Sequence, residues 1–325
     1  MTLAHTPGTA LFEQILAGAA SVAAVAYGAA AVRLERRGDT WPRWRVASFT
    51  AGSTGVLWVV LGPQPGPPFT AHMVGHLIMG MAAPLFLVLA RPLTLALRAL
   101  PPGPARRGLL AVAHAPPVNW SVFPPLAALI DLGGLWLLYR TELFATVQHR
   151  PLGHAVMQAH VLVAGLLFTF SVCQLDPVRH RRRLALRGAT LLVAGAAHAV
   201  LATSLYATPP PGTAYATTDL QTGAQVMYYG GDVVEAALGA VLAASWYRAV
   251  GRARANGRRR SRTGCTVRAE AGPRPEAAAR RGPPCGDTAA YAPRPCGQPE
   301  IRDRLTPPSH LAGPSAGRKR PGSRA

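Results

Sequence analysis

Histidine and methionine side chains in the apolar part of the sequence are the residues best suited to chemistry. His72 and His76 stand four positions apart, so they share one face if this segment is helical. Met73 stands beside His72, and Met79 follows His76 by about one helical turn. Imidazole nitrogens and thioether sulfurs suit soft metal ions, particularly Cu(I). The spacing therefore predicts a metal site built on His72, His76 and Met73.

Further candidate ligands stand in two later apolar stretches. His154, Met157 and His160 follow one another at intervals of three, which covers about a third of a helix circumference. His198 is the one histidine of the next apolar stretch. We predict that all four side chains contribute to the same metal site, in which Cu(I) is the favoured ion and zinc the alternative.

Two aspartates interrupt stretches that are otherwise apolar, namely Asp131 and Asp232. A carboxylate in such a position is costly unless it serves a purpose. We expect both to orient a ligand histidine or to handle protons rather than to bind the metal directly. The simpler interpretation is that buried His and Asp side chains join helices, and that methionine fills apolar space.

The stretches that carry these residues are long enough to cross a membrane. Charged residues make up only 15% of the chain, against roughly 25% in soluble domains. A helical span needs about 20 apolar residues. The sequence therefore predicts an all-α, polytopic membrane bundle of about seven transmembrane helices. They run approximately over 11–32, 44–62, 72–90, 119–139, 152–174, 184–206 and 225–247.

The distribution of arginine predicts the orientation of the bundle. Fourteen arginines fall in the first, third and fifth connections, whereas only Arg140 and Arg150 fall in connections on the other side. Basic loops stay in the cytoplasm, so we expect a multi-pass plasma-membrane protein with its N-terminus outside. No Lys or Arg precedes Arg33, so the first stretch is expected to remain an anchor rather than a cleaved signal peptide. The depth of each candidate residue can be counted along its span at about 1.5 Å per helical residue. By this count the candidates lie in the outer half of the membrane, which predicts one site open to the outside.

Composition divides the chain into a membrane domain, 1–250, and a basic tail, 251–325. The tail is rich in Arg, Pro and Gly and is predicted to be disordered in the cytoplasm, where it would be attracted to anionic lipid. The net charge of +20 does not indicate nucleic-acid binding, because the membrane domain carries its arginines in short clusters between apolar spans. Neither a nucleophile motif nor His-Glu-x-x-His is present, so we do not expect an enzyme.

Several ordered motifs resemble those of the CtaG family, the polytopic assembly factors of caa(3)-type cytochrome c oxidase. The resemblance covers roughly 10–250 and is carried by FTAHMVGHLIMGMAAPLFLVLARPLTLALRAL (69–100), RPLGHAVMQAHVLVAGLLF (150–168), QLDPVRHRRRLALR (174–187), AAHAVLATSLY (196–206) and DLQTGAQVMYYGGDVVE (219–235). It implies seven membrane helices and a role in oxidase biogenesis through copper delivery, with oxidase subunits as partners. The residues that it carries over are His72, His76, His154, His160, His198, Asp219 and Asp232.

Two other functions remain open at this point. Histidines on different helices, such as His76, His160 and His198, could ligate haem b in a membrane cytochrome. Alternatively Asp131, Asp232 and Glu235 could line the path of a cation or proton transporter.

Overall fold

The chain is built from helices joined by short connections. A computed structural model describes residues 7–64, 66–148, 150–177 and 181–270, and within these ranges it has no strand. The helices are α1 (Pro7–Arg36), α2 (Arg43–Leu61), α3 (Pro68–His76), a π-helical segment (Leu77–Ala82), α4 (Ala83–Leu89), α5 (Pro92–Ala99), α6 (Pro104–Ala113), α7 (Pro116–Ser121), α8 (Pro124–Arg140), α9 (Leu143–Gln148), α10 (Pro151–Cys173), α11 (Leu184–Ala207) and α12 (Thr217–Glu270).

All seven predicted spans coincide with helices, which confirms the all-α, multi-pass class. Among the described residues, five helical segments are long and apolar enough to cross a membrane. The predicted spans in α2 and α8 are not among them, so the count of seven is not confirmed. Helix α8 has only 17 residues, fewer than the roughly 20 that a span needs. The five segments are Glu13–Arg36, Pro68–Ala99, Leu152–Cys173, Leu184–Ala207 and Thr217–Arg252.

The surface of these helices is apolar, as contact with lipid requires. Leu152, Leu192 and Val233 are each at least 70% exposed. In water such side chains would form an unfavourable patch, whereas in a bilayer they contact acyl chains.

A π-helical segment interrupts the third predicted span directly after His76. Segments of this kind widen the helix and often occur at functional sites. Helix α10 crosses the segment closely, because a β-carbon at Gly165 would overlap the backbone of Gly80. The two glycines therefore set the distance between α10 and the histidine-bearing helix.

Prolines in and just after the third connection begin helices. Pro92, Pro104, Pro116 and Pro124 stand in the first turns of α5, α6, α7 and α8. The fixed φ of proline suits this position, and its missing N–H is not needed there. The break before α5 falls at Arg91, which adopts a left-handed conformation with φ 53°.

Helix α12 is longer than predicted at both ends. It begins at Thr217, eight residues before the predicted seventh span, and runs to Glu270 within the predicted tail. Arginine and alanine, which are frequent in 251–270, both favour helix. The remainder of the predicted tail, 271–325, lies outside the described residues.

The bundle has two ends, which we name after the aspartates found there. The Asp219 end is where α3, α10 and α12 begin, and its apolar core includes Phe69, Tyr139 and Met227. The Asp176 end is where α10 ends and α5 begins, and its core includes Tyr27 and Trp41.

Candidate metal centre

The helix that carries His72 and His76 is fixed by a carboxylate from a distant part of the chain. Asp219, in the first turn of α12, accepts hydrogen bonds from the backbone N–H groups of Phe69 (3.0 Å) and Thr70 (2.8 Å). The Thr70 hydroxyl donates to the same carboxylate at 2.7 Å. A helix N-terminus has unpaired N–H groups and a positive dipole, so a buried carboxylate stabilises it. The role of Asp219 in the structure is therefore to position α3.

His72 is oriented by a tyrosine from α8. Its Nε2 lies 2.8 Å from the hydroxyl of Tyr139, and its ring packs edge-on against Phe144. If the Nε2–H donates to Tyr139, Nδ1 is unprotonated and can bind a cation. A hydrogen bond of this kind fixes the tautomer and the ring orientation of a metal-binding histidine.

His72 and His76 face a cleft of about 560 Å³ at the Asp219 end. Helices α1, α2, α3, α8, α9 and α10 and the π-helical segment contribute to its wall. Five of its side chains carry imidazole or thioether groups: His72, His76, His154, Met79 and Met157. The structure thus brings together, on one surface, ligands from two of the sequence motifs, 69–100 and 150–168. They form a donor set suited to a soft cation.

A second, much smaller cavity of about 30 Å³ lies beside the cleft, and we call it the chamber. His76 lines both the cleft and the chamber. The chamber also contains His198, Asp131 and Glu235. His198 is 4% exposed, and its Nδ1 lies 3.6 Å from Oε1 of Glu235.

Glycines make room for the polar side chains of the chamber. A β-carbon at Gly231 would overlap the ring of His198, and one at Gly195 would overlap the carboxylate of Glu235. These positions therefore have a packing requirement for glycine that does not depend on backbone conformation. Helices α11 and α12 can approach each other only because both residues lack side chains.

Three of the residues predicted for the metal site or its support lie elsewhere. Met73 is fully buried among Phe69, Tyr139 and other apolar residues of the core, because one residue along a helix turns the side chain by about 100° away from His72. His160 is exposed and packs against Gly134 of α8 rather than lining the cleft. Asp232 is exposed on α12, one residue after the glycine that contacts His198.

Several residues of the two cavities were not identified from the sequence as parts of a site. Tyr139 is the clearest, since it orients His72 and lines the cleft. In the sequence it is a single tyrosine at the end of the apolar run of α8. Tyrosines are common at that position because they anchor helices at the membrane surface, so the sequence alone does not indicate a site residue. The other polar residues of the cleft are Glu13, Gln64, Gln148 and Gln158.

The ligands are near one another without forming a closed coordination sphere. Among the described residues, no group of three or more His, Cys, Asp or Glu side chains is placed to hold one metal ion. A structural zinc site would require four such ligands. The arrangement instead offers pairs of imidazoles with thioethers beside them, which favours a cation that accepts few ligands.

Comparisons with known proteins agree with the motifs. The family described as cytochrome c oxidase caa3 assembly factor matches residues 25–249. Uncharacterised proteins of Mycobacterium bovis and Mycobacterium tuberculosis are each 31% identical over 175 residues, which covers 51% of this chain and 26% of theirs. One from Mycobacterium leprae is 30% identical over 176 residues, covering 51% and 27%. The chain thus matches about a quarter of the length of these curated relatives, and no solved structure matches it.

Proposed function

The chain belongs to the family of cytochrome c oxidase caa3 assembly factors, and we propose that it supports oxidase assembly by binding Cu(I) in the cleft and passing it to an oxidase subunit. The observation that carries this proposal is the donor set of the cleft. His72, His76 and His154 share one surface with Met79 and Met157. Imidazole and thioether together select soft cations over the hard cations that prefer oxygen ligands.

The openness of the cleft suits delivery rather than storage. A carrier must release its ion to a partner, and a site with few ligands and free space beside them lets an incoming ligand replace a bound one. This ligand exchange requires neither a covalent step nor a change of oxidation state, so the role that we propose is not enzymatic. Tyr139 and Asp219 would act by holding His72 and the start of α3 in place.

We place the Asp219 end on the outer side of the plasma membrane, with the N-terminus outside. The support is the positive-inside rule, since Arg91, Arg98 and Arg181 belong to connections at the Asp176 end. The cleft would then receive copper from outside the cell. It would meet oxidase subunits within the membrane or at its outer surface.

The dimensions of the chamber favour an ion over haem between His76 and His198. A bis-histidine haem needs a porphyrin between its two axial ligands, and the chamber between His76 and His198 has only about 30 Å³. A transport path through Asp131 and Glu235 stays a prediction. It would be favoured over delivery if the purified protein moved cations across vesicle membranes.

The decisive experiment compares histidines inside and outside the cleft. The detergent-purified full chain would be titrated with Cu(I) under reducing conditions against a chromophoric chelator. We expect the double variant His72→Ala/His154→Ala to bind cleft copper at least about tenfold more weakly. The control is His114→Ala/His160→Ala, because these two histidines do not line the cleft, and it should bind like the wild type.

A cellular assay tests the delivery step. Cells lacking this protein would be complemented with each variant, and the copper content and activity of the assembled oxidase would be measured. We expect the cleft variant to fail and the control variant to succeed. If the wild type binds no Cu(I), or if both double variants support the oxidase equally, copper delivery through the cleft is refuted and a metal-free assembly scaffold remains.

A further inference from the structure

The chamber behind His76 contains buried ring nitrogens that have no partner. Nε2 of His76 and Nε2 of His198 are inaccessible to solvent and make no hydrogen bond with any described residue. Buried polar atoms almost always have partners, so two such orphans that line one cavity indicate a missing ligand. The volume of about 30 Å³ is enough for one small species, since a water needs roughly 10–15 Å³ by the same measure.

The spacing of the two rings fits a single metal ion. Their centres are 6.4 Å apart and their planes differ by 25°. Two imidazoles bound in line to one ion, with about 2 Å for each metal–nitrogen bond and about 1 Å from nitrogen to ring centre, have centres about 6 Å apart. The observed separation is therefore close to that of a two-coordinate site in which the two Nε2 atoms face each other, an orientation that the ring-centre distance alone does not establish.

The environment of His198 prepares its Nε2 for coordination. Glu235 lies 3.6 Å from Nδ1 of His198, beyond hydrogen-bond distance, and its negative charge favours the tautomer in which Nδ1 carries the proton and Nε2 is free. A carboxylate behind a histidine in this way increases the basicity of the metal-binding nitrogen. The negative charge of a carboxylate in the chamber would also balance the charge of a cation brought into an apolar region.

The donor set restricts the identity of the ion. Within the described residues the chamber offers two imidazoles and, beside them, the thioether of Met81, and no third His, Cys, Asp or Glu completes a metal-binding group. Zinc and Cu(II) require more ligands, whereas Cu(I), with a filled d shell, is stable between two imidazoles in line. A hard cation would bind oxygen ligands in preference to imidazole.

We propose that the chamber is a second Cu(I) position, in which His76 and His198 hold the ion between their Nε2 atoms. This proposal rests on copper binding in the cleft. His76 lines both cavities, so an ion can exchange between them by replacing cleft ligands with His198 while His76 remains nearby. The cleft loads copper from the outside, and the chamber holds it away from water and competing ligands.

The test counts copper ions and identifies their ligands in matched variants. The full chain in detergent would be loaded with Cu(I) under anaerobic, reducing conditions, and bound copper would be measured for the wild type, His198→Ala, His72→Ala/His154→Ala and His160→Ala. We expect two ions in the wild type and in His160→Ala, and one in each of the other variants. X-ray absorption of the cleft variant should show the edge feature of two-coordinate Cu(I) with nitrogen ligands only.

Each outcome separates this inference from the function on which it rests. If the wild type holds one ion that His198→Ala retains and the cleft variant loses, the chamber binds only water. Delivery through the cleft then stands, and the chamber site is overturned. If the wild type binds no copper, both proposals fail. Since His198→Ala could misfold, its helix content and elution volume would be compared with those of His198→Asn, which keeps a polar side chain of smaller reach and should lose the same ion.

Discussion

The two ends of the bundle use the same device to start a helix, yet the histidines that line the cleft lie at only one of them. At the Asp219 end, α3 begins with Pro-Phe-Thr (68–70) and is capped by Asp219. At the Asp176 end, α5 begins with Pro-Leu-Thr (92–94) and is capped by Asp176, which accepts from the N–H and hydroxyl of Thr94. In both cases the aspartate is more than 80 residues away in the sequence. A carboxylate from a distant part of the chain therefore caps the first helix, α3, and the last helix, α5, of the segment 68–99.

The two ends differ in the side chains that each capped helix carries. Two and six residues after Thr70, α3 directs His72 and His76 toward a cleft. The corresponding positions after Thr94 are Ala96 and Leu100. Both ends thus share a structural scaffold, and the proposed chemical function rests on a few side chains placed on it at the Asp219 end. Variants at equivalent positions should separate the two contributions.

Loss of the Asp219 cap should have the largest effect. Asp219→Ala leaves one buried and one partly buried N–H group unpaired. A buried group costs roughly 1–3 kcal/mol and a partly buried one less, so we expect a loss of about 2–4 kcal/mol of stability. Because the first turn of α3 carries His72, Cu(I) binding in the cleft should weaken as well. Thermal unfolding of the detergent-solubilised protein and Cu(I) titration measure the two effects. An unchanged affinity in a destabilised variant would show that the cap does not position the ligand.

Loss of the Asp176 cap should affect stability alone. Asp176→Ala removes the acceptor of one N–H and one hydroxyl, so we expect a cost of about 1–3 kcal/mol. Oδ2 of Asp176 is buried without a partner among the described residues, which reduces what the native carboxylate contributes. Copper binding should be unaltered. If Asp176→Ala weakened copper binding as much as Asp219→Ala does, copper affinity would depend on both ends of the bundle, and the Asp176 cap would not be purely structural.

The sequence was sufficient to predict the all-α class and the kinds of candidate ligand. Long apolar runs and repeated His and Met spacings are local patterns, so they can be read without knowing how the helices pack. The sequence predicted correctly that the seven apolar stretches are helical, but not the short helices α5, α6 and α7 or the continuation of α12 to Glu270. It also grouped His72, His76 and His154, which the structure places on one cleft. It could not set the rotation of each helix relative to its neighbours. Met73 therefore lies in the core and His160 lies on an exposed face.

Long-range contacts account for what the sequence could not provide. The cap of α3 joins residues 149 and 150 positions apart, and no local pattern encodes such a pair. The π-helical segment after His76 changes the helical phase of every residue beyond it. The division of the ligands between a cleft and a chamber depends on how the helices are rotated and packed against one another. A count of depth along ideal helices does not include that rotation, so it merged the ligands into one layer.

Two glycines on α12 extend the comparison toward the Asp176 end. Gly231 contacts the ring of His198, whereas Gly239, two turns later, has no neighbour within 4 Å. Gly231→Ala should displace His198, cost about 1–3 kcal/mol through overpacking, and remove copper from the chamber. Gly239→Ala should bind copper normally and gain up to about 1 kcal/mol from helix propensity. Equal copper content in the two variants, measured after gel filtration, would mean that His198 does not hold the ion.

The smallest expected effect comes from a single hydroxyl at each end. Tyr139 lies 2.8 Å from Nε2 of His72, whereas at the Asp176 end Tyr27 donates to the carbonyl of Ala90 at 2.7 Å and accepts from the indole N–H of Trp41. Tyr139→Phe should weaken Cu(I) binding in the cleft about tenfold, because the ring of His72 loses the bond that fixes its tautomer. Tyr27→Phe removes two hydrogen bonds and should cost about 1–3 kcal/mol of stability without changing copper affinity. Cu(I) titrations and unfolding curves of the two variants, measured in parallel, would show whether the hydroxyl affects copper affinity at the Asp219 end and stability alone at the Asp176 end. If Tyr27→Phe weakened Cu(I) binding and Tyr139→Phe did not, the copper ligands would not lie at the Asp219 end.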